Sequence, residues 1–215
     1  VPVAIAVGRL VDLKRFDVAP LSRPEIGIPE GVPLAGNVAA LVGHKDHATL
    51  LDAVPAILRE APEFRLVIAG EGPLRPHLEA QIVRLGIGHA VTLLGQRNDV
   101  PRLLRALDLF IMSSSEEGLG TSVLDAMACG VPVVATDAGG IPEMVRDGET
   151  GLLVQARNSA DLADAVVRAT YDAQLREGLA GAALALVNHA FSADSMVSGN
   201  LAVYEELLSG STGKK

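Results

Sequence analysis

From Pro33 onward, short β-branched apolar runs alternate with longer segments of helical periodicity, and this alternation confines the chain to βαβ architecture. The runs predict strands over 34–41, 64–69, 90–94, 109–112 and 131–135, with a short sixth at 151–154. Between the first two lies a helix capped by Asp46, with Leu50, Leu51, Val54, Ile57 and Leu58 on one face and a kink expected at Pro55. A second helix, 74–85, carries the stripe Leu74, Leu78, Ile82 and Leu85, with Pro73 fitting its first position. Shorter helices are expected over 100–107 and 122–128. The run Leu66-Val67-Ile68-Ala69 has no polar alternation, as in a strand buried on both faces. The expected fold is therefore α/β: a doubly wound, Rossmann-like parallel sheet of about six strands with helices on both faces.

The ends read differently. Residues 1–33 predict one strand followed by a Pro-rich stretch (Pro20, Pro24, Pro29, Pro33) that resembles a linker. The Ala-rich part 159–208 predicts two or three helices, interrupted near 191–194, and 209–215 reads as a flexible tail. One domain over 34–208 is the expectation. The formal charge of −8, with 3% aromatic residues and no Trp, argues against a nucleic-acid partner, which needs a basic surface and stacking platforms. A single cysteine, Cys129, cannot form an internal disulfide, so the cytoplasm is the default compartment. The longest uncharged apolar stretch, 178–193, is broken by Asn188, His189 and Ser192 and falls short of the ~20 residues of a transmembrane span. Without an initiator Met or the basic n-region of a signal peptide, the chain reads as an excised piece of a longer one.

In a doubly wound sheet ligands bind at the carboxyl ends of the strands, which selects four loops: 43–46, 70–73, 113–122 and 136–143. In the third, Gly118 and Gly120 stand directly before a helix, where backbone amides and the helix dipole attract phosphate. The same residues equally fit a plain capped helix, with Thr121 or Ser122 as the cap and Asp125 closing a capping box. Glu117 and Asp125, with seven residues between them, can face one cleft and accept hydroxyls of a sugar or ribose; otherwise Glu117 is solvated and Asp125 merely complements the dipole. Lys45 can neutralise a phosphate or be an ordinary surface lysine. The five histidines lack metal-ligand spacing, Cys129 sits at the apolar end of a helix and reads as core, and no G-x-S-x-G elbow is present.

Longer motifs narrow the choice. Glu117-Gly118, the run from Val123-Leu124-Asp125-Ala126-Met127-Ala128-Cys129-Gly130 through Val131-Pro132-Val133-Val134-Ala135-Thr136, then Gly139-Gly140-Ile141-Pro142-Glu143, and Asp147-Gly148-Glu149-Thr150-Gly151-Leu152-Leu153-Val154 resemble the C-terminal half of family 4 glycosyltransferases. Gly70-Glu71-Gly72-Pro73-Leu74, Val91-Thr92-Leu93-Leu94-Gly95 and Asp99-Val100-Pro101 match in the same order. The resemblance implies one half of a GT-B fold, the donor-binding domain of a retaining, metal-independent hexosyl- or glycosyltransferase that uses a nucleoside diphosphate sugar and no cofactor. It implies that Lys45 and Glu117 serve catalysis, the first on the diphosphate and the second on a donor-sugar hydroxyl. Asp125 would hold the ribose, and Gly118, Leu119, Gly120, Thr121 and Ser122 would surround the diphosphate. The base would lie near Gly95, Gln96 and Arg97, and Gly70 and Glu71 would also bind the donor. The acceptor site would belong to an N-terminal domain of the same chain, through which peripheral membrane association could arise; residues 1–33 match the interdomain connection at Gly8, Asp12, Arg15 and Phe16.

Two positions depart from the pattern: Asp125 stands where the family has a second glutamate, and Ala40 where it often has a phosphate-binding arginine. A literal G-R-L-V-x-x-K also occurs at Gly8 to Lys14, but only Lys45 leaves room for one helix and one strand before Gly70. The competing readings are a nucleotide-sugar binding module without activity and another GT-B enzyme such as a sugar-nucleotide epimerase. A dehydrogenase is disfavoured because no G-x-G-x-x-G follows the first strand.

Overall fold

The computed structural model describes residues 11–191 together with 197 and 201. Six parallel strands form one sheet: β1 (Leu34–Val38), β2 (Arg65–Ala69), β3 (Val91–Gly95), β4 (Leu109–Met112), β5 (Val133–Thr136) and β6 (Leu152–Val154), in the order β3-β2-β1-β4-β5-β6. This is the doubly wound arrangement read from the sequence, with the order reversing between β1 and β4. The helices are α1 (His47–Glu60), α2 (Arg75–Leu85), α3 (Val100–Leu104), α4 (Thr121–Ala128), α5 (Ser159–Tyr171) and α6 (Ala173–Ala190).

Because strand side chains alternate, the sheet divides the apolar residues into two cores. Leu66, Ile68, Ile111 and Val134 join α1, α2 and α5 on one face; Val67, Phe110, Met112 and Val133 join α3, α4 and α6 on the other. Asp46 caps α1 as expected, its carboxylate accepting from the Thr49 amide at 3.3 Å and the Thr49 hydroxyl at 2.7 Å. Pro55 sits inside a helix that runs unbroken from His47 to Glu60.

Several boundaries shift. The first strand stops at Val38, not 41, because the chain turns so that the Leu41 amide bonds the Glu71 carbonyl at 3.0 Å. Pro73 lies ahead of α2, whose first turn instead carries Pro76. In α4 the N-cap is Gly120, with no side-chain cap, so neither Thr121 nor Ser122 caps it and the capping box with Asp125 is absent. The long C-terminal helical region breaks at Asp172, whose carboxylate caps α6 by accepting from the Leu175 amide at 2.8 Å. The interruption expected near 191–194 and the tail 209–215 fall largely or wholly outside the described residues.

The stretch resembling a linker is packed where it is described. Val11, Phe16, Leu21, Ile26 and Ile28 are buried in the core that contains α3 and α4. Its backbone is tied down as well: Leu21 N–H donates to Arg102 O at 3.1 Å, and Arg105 donates to Phe16 O at 3.2 Å. Prolines there set the path of a chain whose apolar side chains still need burial. The decoy Lys14 lies in a turn of 3-10 helix (Leu13–Phe16), exposed and ahead of β1; Gly8, Arg9 and Leu10 of the same motif lie outside the described residues.

Candidate active site

At the carboxyl edge of β1 and β4, where the strand order reverses, a single turn of 3-10 helix (Gly43–Lys45) meets the loop after β4. Serines stitch the two together. Ser115 N–H donates to His44 O at 2.9 Å, and the Ser113 hydroxyl to Lys45 O at 3.0 Å. The Lys45 ammonium is thereby delivered onto the Glu117 carboxylate, with side chains only 16% and 8% exposed. Glu117 is held from two further directions: Ser114 Oγ donates to Oε2 at 3.1 Å and the Gly120 amide to Oε1 at 3.3 Å. Burial pushes the Glu117 carboxyl upward, but Lys45, the Gly120 amide and Ser114 outweigh it and leave the group below the usual carboxylate range.

The loop after β5 closes over this cluster. Gly139 adopts φ +53°, and a Cβ there would stand 1.9 Å from the Glu117 carbonyl oxygen, so only glycine fits. Gly140 N–H donates to that same carbonyl at 3.0 Å. Beneath, Thr136 Oγ1 donates to the Ser114 carbonyl at 2.6 Å. The residues Ser113, Ser114 and Thr136 are fully buried. The sequence marks the serines only as part of the loop 113–122, and their signal is three consecutive hydroxyls directly before Glu116 and Glu117. The sequence does not single out His47 or Asn37: His47 Nε2 lies 3.1 Å from Asn37 Oδ1, and Asn37 Nδ2 donates to Ile111 O at 2.8 Å. Burial, with the Lys45 charge adding to it, pushes the His47 pKa down to about 4.

Across the sheet, the ends of β1, β2 and β3 line an open cleft of about 380 Å³, bounded by Ala39, Ala40, Gly70, Glu71, Gln96 and Arg97. Gly70 forms its floor by passing so close to β1 that a Cβ would lie 1.9 Å from the Ala39 carbonyl. Charges here are already matched. Arg97 grips Asp99 with two hydrogen bonds of 2.8 and 2.6 Å, and Glu71 accepts from Arg75 at 2.7 Å. Ala40 is exposed at the rim.

Candidate residues thus fall into groups. Lys45, Glu117 and Gly120 come together; Gly70, Glu71, Gly95, Gln96 and Arg97 gather at the ends of β2 and β3, with Gly70 N–H donating to Gly95 O at 2.9 Å. Gly118 and Leu119 lie in the loop between Glu117 and α4, Leu119 with 48% of its surface exposed. Thr121 and Ser122 form the uncapped first turn of α4. Asp125 stands apart, about one turn into α4 and partly buried. Burial raises its carboxyl above the usual range, Arg15 pulls it partly back, and no side chain among the described residues hydrogen-bonds it. Cys129, also partly buried, has its thiol pushed up to about 12 by burial, which leaves it unreactive. Among the described residues no three His, Cys, Asp or Glu side chains gather to hold a metal ion.

A doubly wound α/β domain with a fixed ammonium, a loop of small residues and an uncapped helix N-terminus at its switch point belongs to the class of nucleotide-site folds. Residues 18–184 match the model of the glycosyl transferases group 1 family, and the chain belongs to that family. It is 37% identical over 211 residues to the D-inositol 3-phosphate glycosyltransferase of Actinosynnema mirum, covering 90% of this chain and 49% of that protein. Anabaena HepE, solved in complex with UDP-glucose, superposes with a TM-score of 0.80 at 30% identity, covering 93% of this chain and 56% of that one. The C-terminal domain of a group 1 family glycosyl transferase (LpcC) from Francisella tularensis superposes with a TM-score of 0.74 at 27% identity, covering 85% of this chain and 99% of that domain. The chain spans about half the length of the curated relatives it matches.

Proposed function

We propose that this chain is the donor-binding domain of a retaining, metal-independent glycosyltransferase, which binds a nucleoside diphosphate sugar and moves its sugar to an acceptor held by a further domain. The observation that carries the reading is the Lys45–Glu117 pair, anchored by Ser113, Ser114 and Ser115 at the point where the sheet order reverses. Lys45 and the first turn of α4 face the diphosphate and stabilise the charge that develops on it as the sugar leaves. Glu117 accepts a sugar hydroxyl. Asp125, which takes no hydrogen bond from another side chain among the described residues, accepts the ribose diol. The base lies in the cleft between Gly70 and Arg97. The likeness to a protein solved with UDP-glucose supports this assignment of ligand class.

A front-face transfer, in which the leaving phosphate takes the acceptor proton, needs no enzymic nucleophile. The binding of Glu117 by three internal donors agrees with a holding role rather than attack on the sugar. Residues 1–215 alone should bind donor but transfer no sugar, since the acceptor half of the cleft lies elsewhere. Calorimetric titration with UDP-, GDP- and ADP-sugars, alongside a transfer assay, tests both parts. Binding of one donor series without turnover is expected; absence of binding by all of them would refute the donor-site reading, and transferase turnover by residues 1–215 would refute the division of labour.

A further inference from the structure

We propose that Glu117 is a built-in counter-ion that occupies Lys45 until a diphosphate displaces it, so that the phosphate and sugar subsites fill in a coupled manner, with Ser114 as the positioning residue that keeps Glu117 in place after the exchange. The inference rests on the donor-site reading above and extends it.

The geometry sets up a competition. Lys45 is the cation at this edge of the sheet between β1 and β4, and its ammonium already contacts a carboxylate with both side chains largely removed from solvent. An incoming diphosphate must therefore take Lys45 from Glu117 or share it. Glu117 does not lose its position when this happens, because Oε2 keeps the Ser114 hydroxyl and Oε1 keeps the Gly120 amide. Ser114 is itself fixed, fully buried with its carbonyl accepting from Thr136. Departure of Lys45 thus frees a lone pair on a carboxylate that is still rigidly aimed. A donor-sugar hydroxyl can then donate to it. Bare sugar meets a carboxylate satisfied by an ammonium, whereas sugar carried by a diphosphate meets one that the same ligand has just released.

The rule that removing an anion near a phosphate improves binding applies to any acidic residue, so the test must separate release of Lys45 from loss of repulsion. Inorganic pyrophosphate serves as a probe that needs no base, with UDP, GDP and ADP beside it. Glu117→Gln, which is isosteric, keeps a carbonyl acceptor for the Gly120 amide and presents an N–H that the Ser114 hydroxyl can accept, should bind pyrophosphate at least about three-fold more tightly than the parent. In a Lys45→Met background, which keeps the side-chain stem, the same Glu117→Gln change should give no tightening. Ser114→Ala should lose the extra affinity that a nucleoside diphosphate sugar shows over its nucleoside diphosphate. Equal tightening in both backgrounds means simple repulsion and overturns the exchange, as does unchanged or weakened binding by Glu117→Gln alone. Failure of Lys45→Met to weaken pyrophosphate binding in the first place would instead overturn the donor-site reading itself.

Discussion

The two halves of the sheet's carboxyl edge are built on opposite principles. Around β4 and β5, buried hydroxyls, two backbone amides and an ammonium converge on one glutamate. Around β1, β2 and β3 the edge is an open cleft with a floor of Ala39 and Gly70 and with Ala40 at its rim, and its ionic groups are paired with one another. A tight polar web suits a small charged group whose position matters to a fraction of an ångström. A neutral floor suits a flat group recognised by shape. The diphosphate would lie where the two meet, and Lys45 stands at that junction.

The largest expected effect comes from breaking the tight half at its backbone. Gly139→Ala forces a Cβ into the Glu117 carbonyl and should cost roughly 3 kcal/mol or more of stability, measured by denaturant melts. Gly70→Ala should do the same to the open half through the Ala39 carbonyl. If either is tolerated without loss, the corresponding strand ends are less rigid than their geometry requires.

Acid should loosen the seam between the halves, where His47 meets Asn37 of β1 and Asn37 in turn bonds Ile111 of β4. His47 is buried with a folded pKa of about 4, below its ordinary 6.5, so the unfolded chain takes up the proton first. Stability is fully present above about pH 6.5 and declines as pH falls to 4, by about 3 kcal/mol over that window. Melts of the parent against His47→Gln across this range check it, the variant being expected to lack that part of the slope.

Much of this was legible beforehand, and where it was not the reason is physical. The central strands follow from apolar runs buried on both faces, whereas the edge strands β3 and β6 are only partly buried, and Gly70 and Gly139 stand where a Cβ would meet backbone. For residues 11–33 the prolines signal an irregular path but say nothing of whether Phe16, Leu21 and Ile26 find a core, which they do. The break at Asp172 was missed because an Ala-rich stretch has helical propensity throughout, and one carboxylate that caps decides the boundary. Ser114 was missed since its role depends on contacts between loops far apart in sequence, which spacing does not encode.

Smaller effects sharpen the contrast between the halves. Asp125→Ala should weaken UDP and UDP-sugar binding alike, by roughly ten-fold, because both carry the ribose. Its stability at neutral pH should stay the same or rise, since burial already disfavours the charged carboxylate and Asp125 plays no part in capping α4. Early melting with normal binding would contradict the ribose role. Ala40→Arg places a cation at the rim of the neutral cleft and should tighten nucleoside diphosphate binding by only about three-fold, as an exposed charge contributes modestly. An unchanged affinity would put the diphosphate away from β1.

The central claim is that Lys45 carries the diphosphate. Calorimetric titration of UDP, GDP, ADP and pyrophosphate into the parent, Lys45→Ala and Lys14→Ala addresses it directly. Loss of a charged hydrogen-bond partner should weaken binding by Lys45→Ala roughly ten-fold or more, with Lys14→Ala unchanged. Parent-like affinity in Lys45→Ala, or a larger loss in Lys14→Ala, would contradict the account.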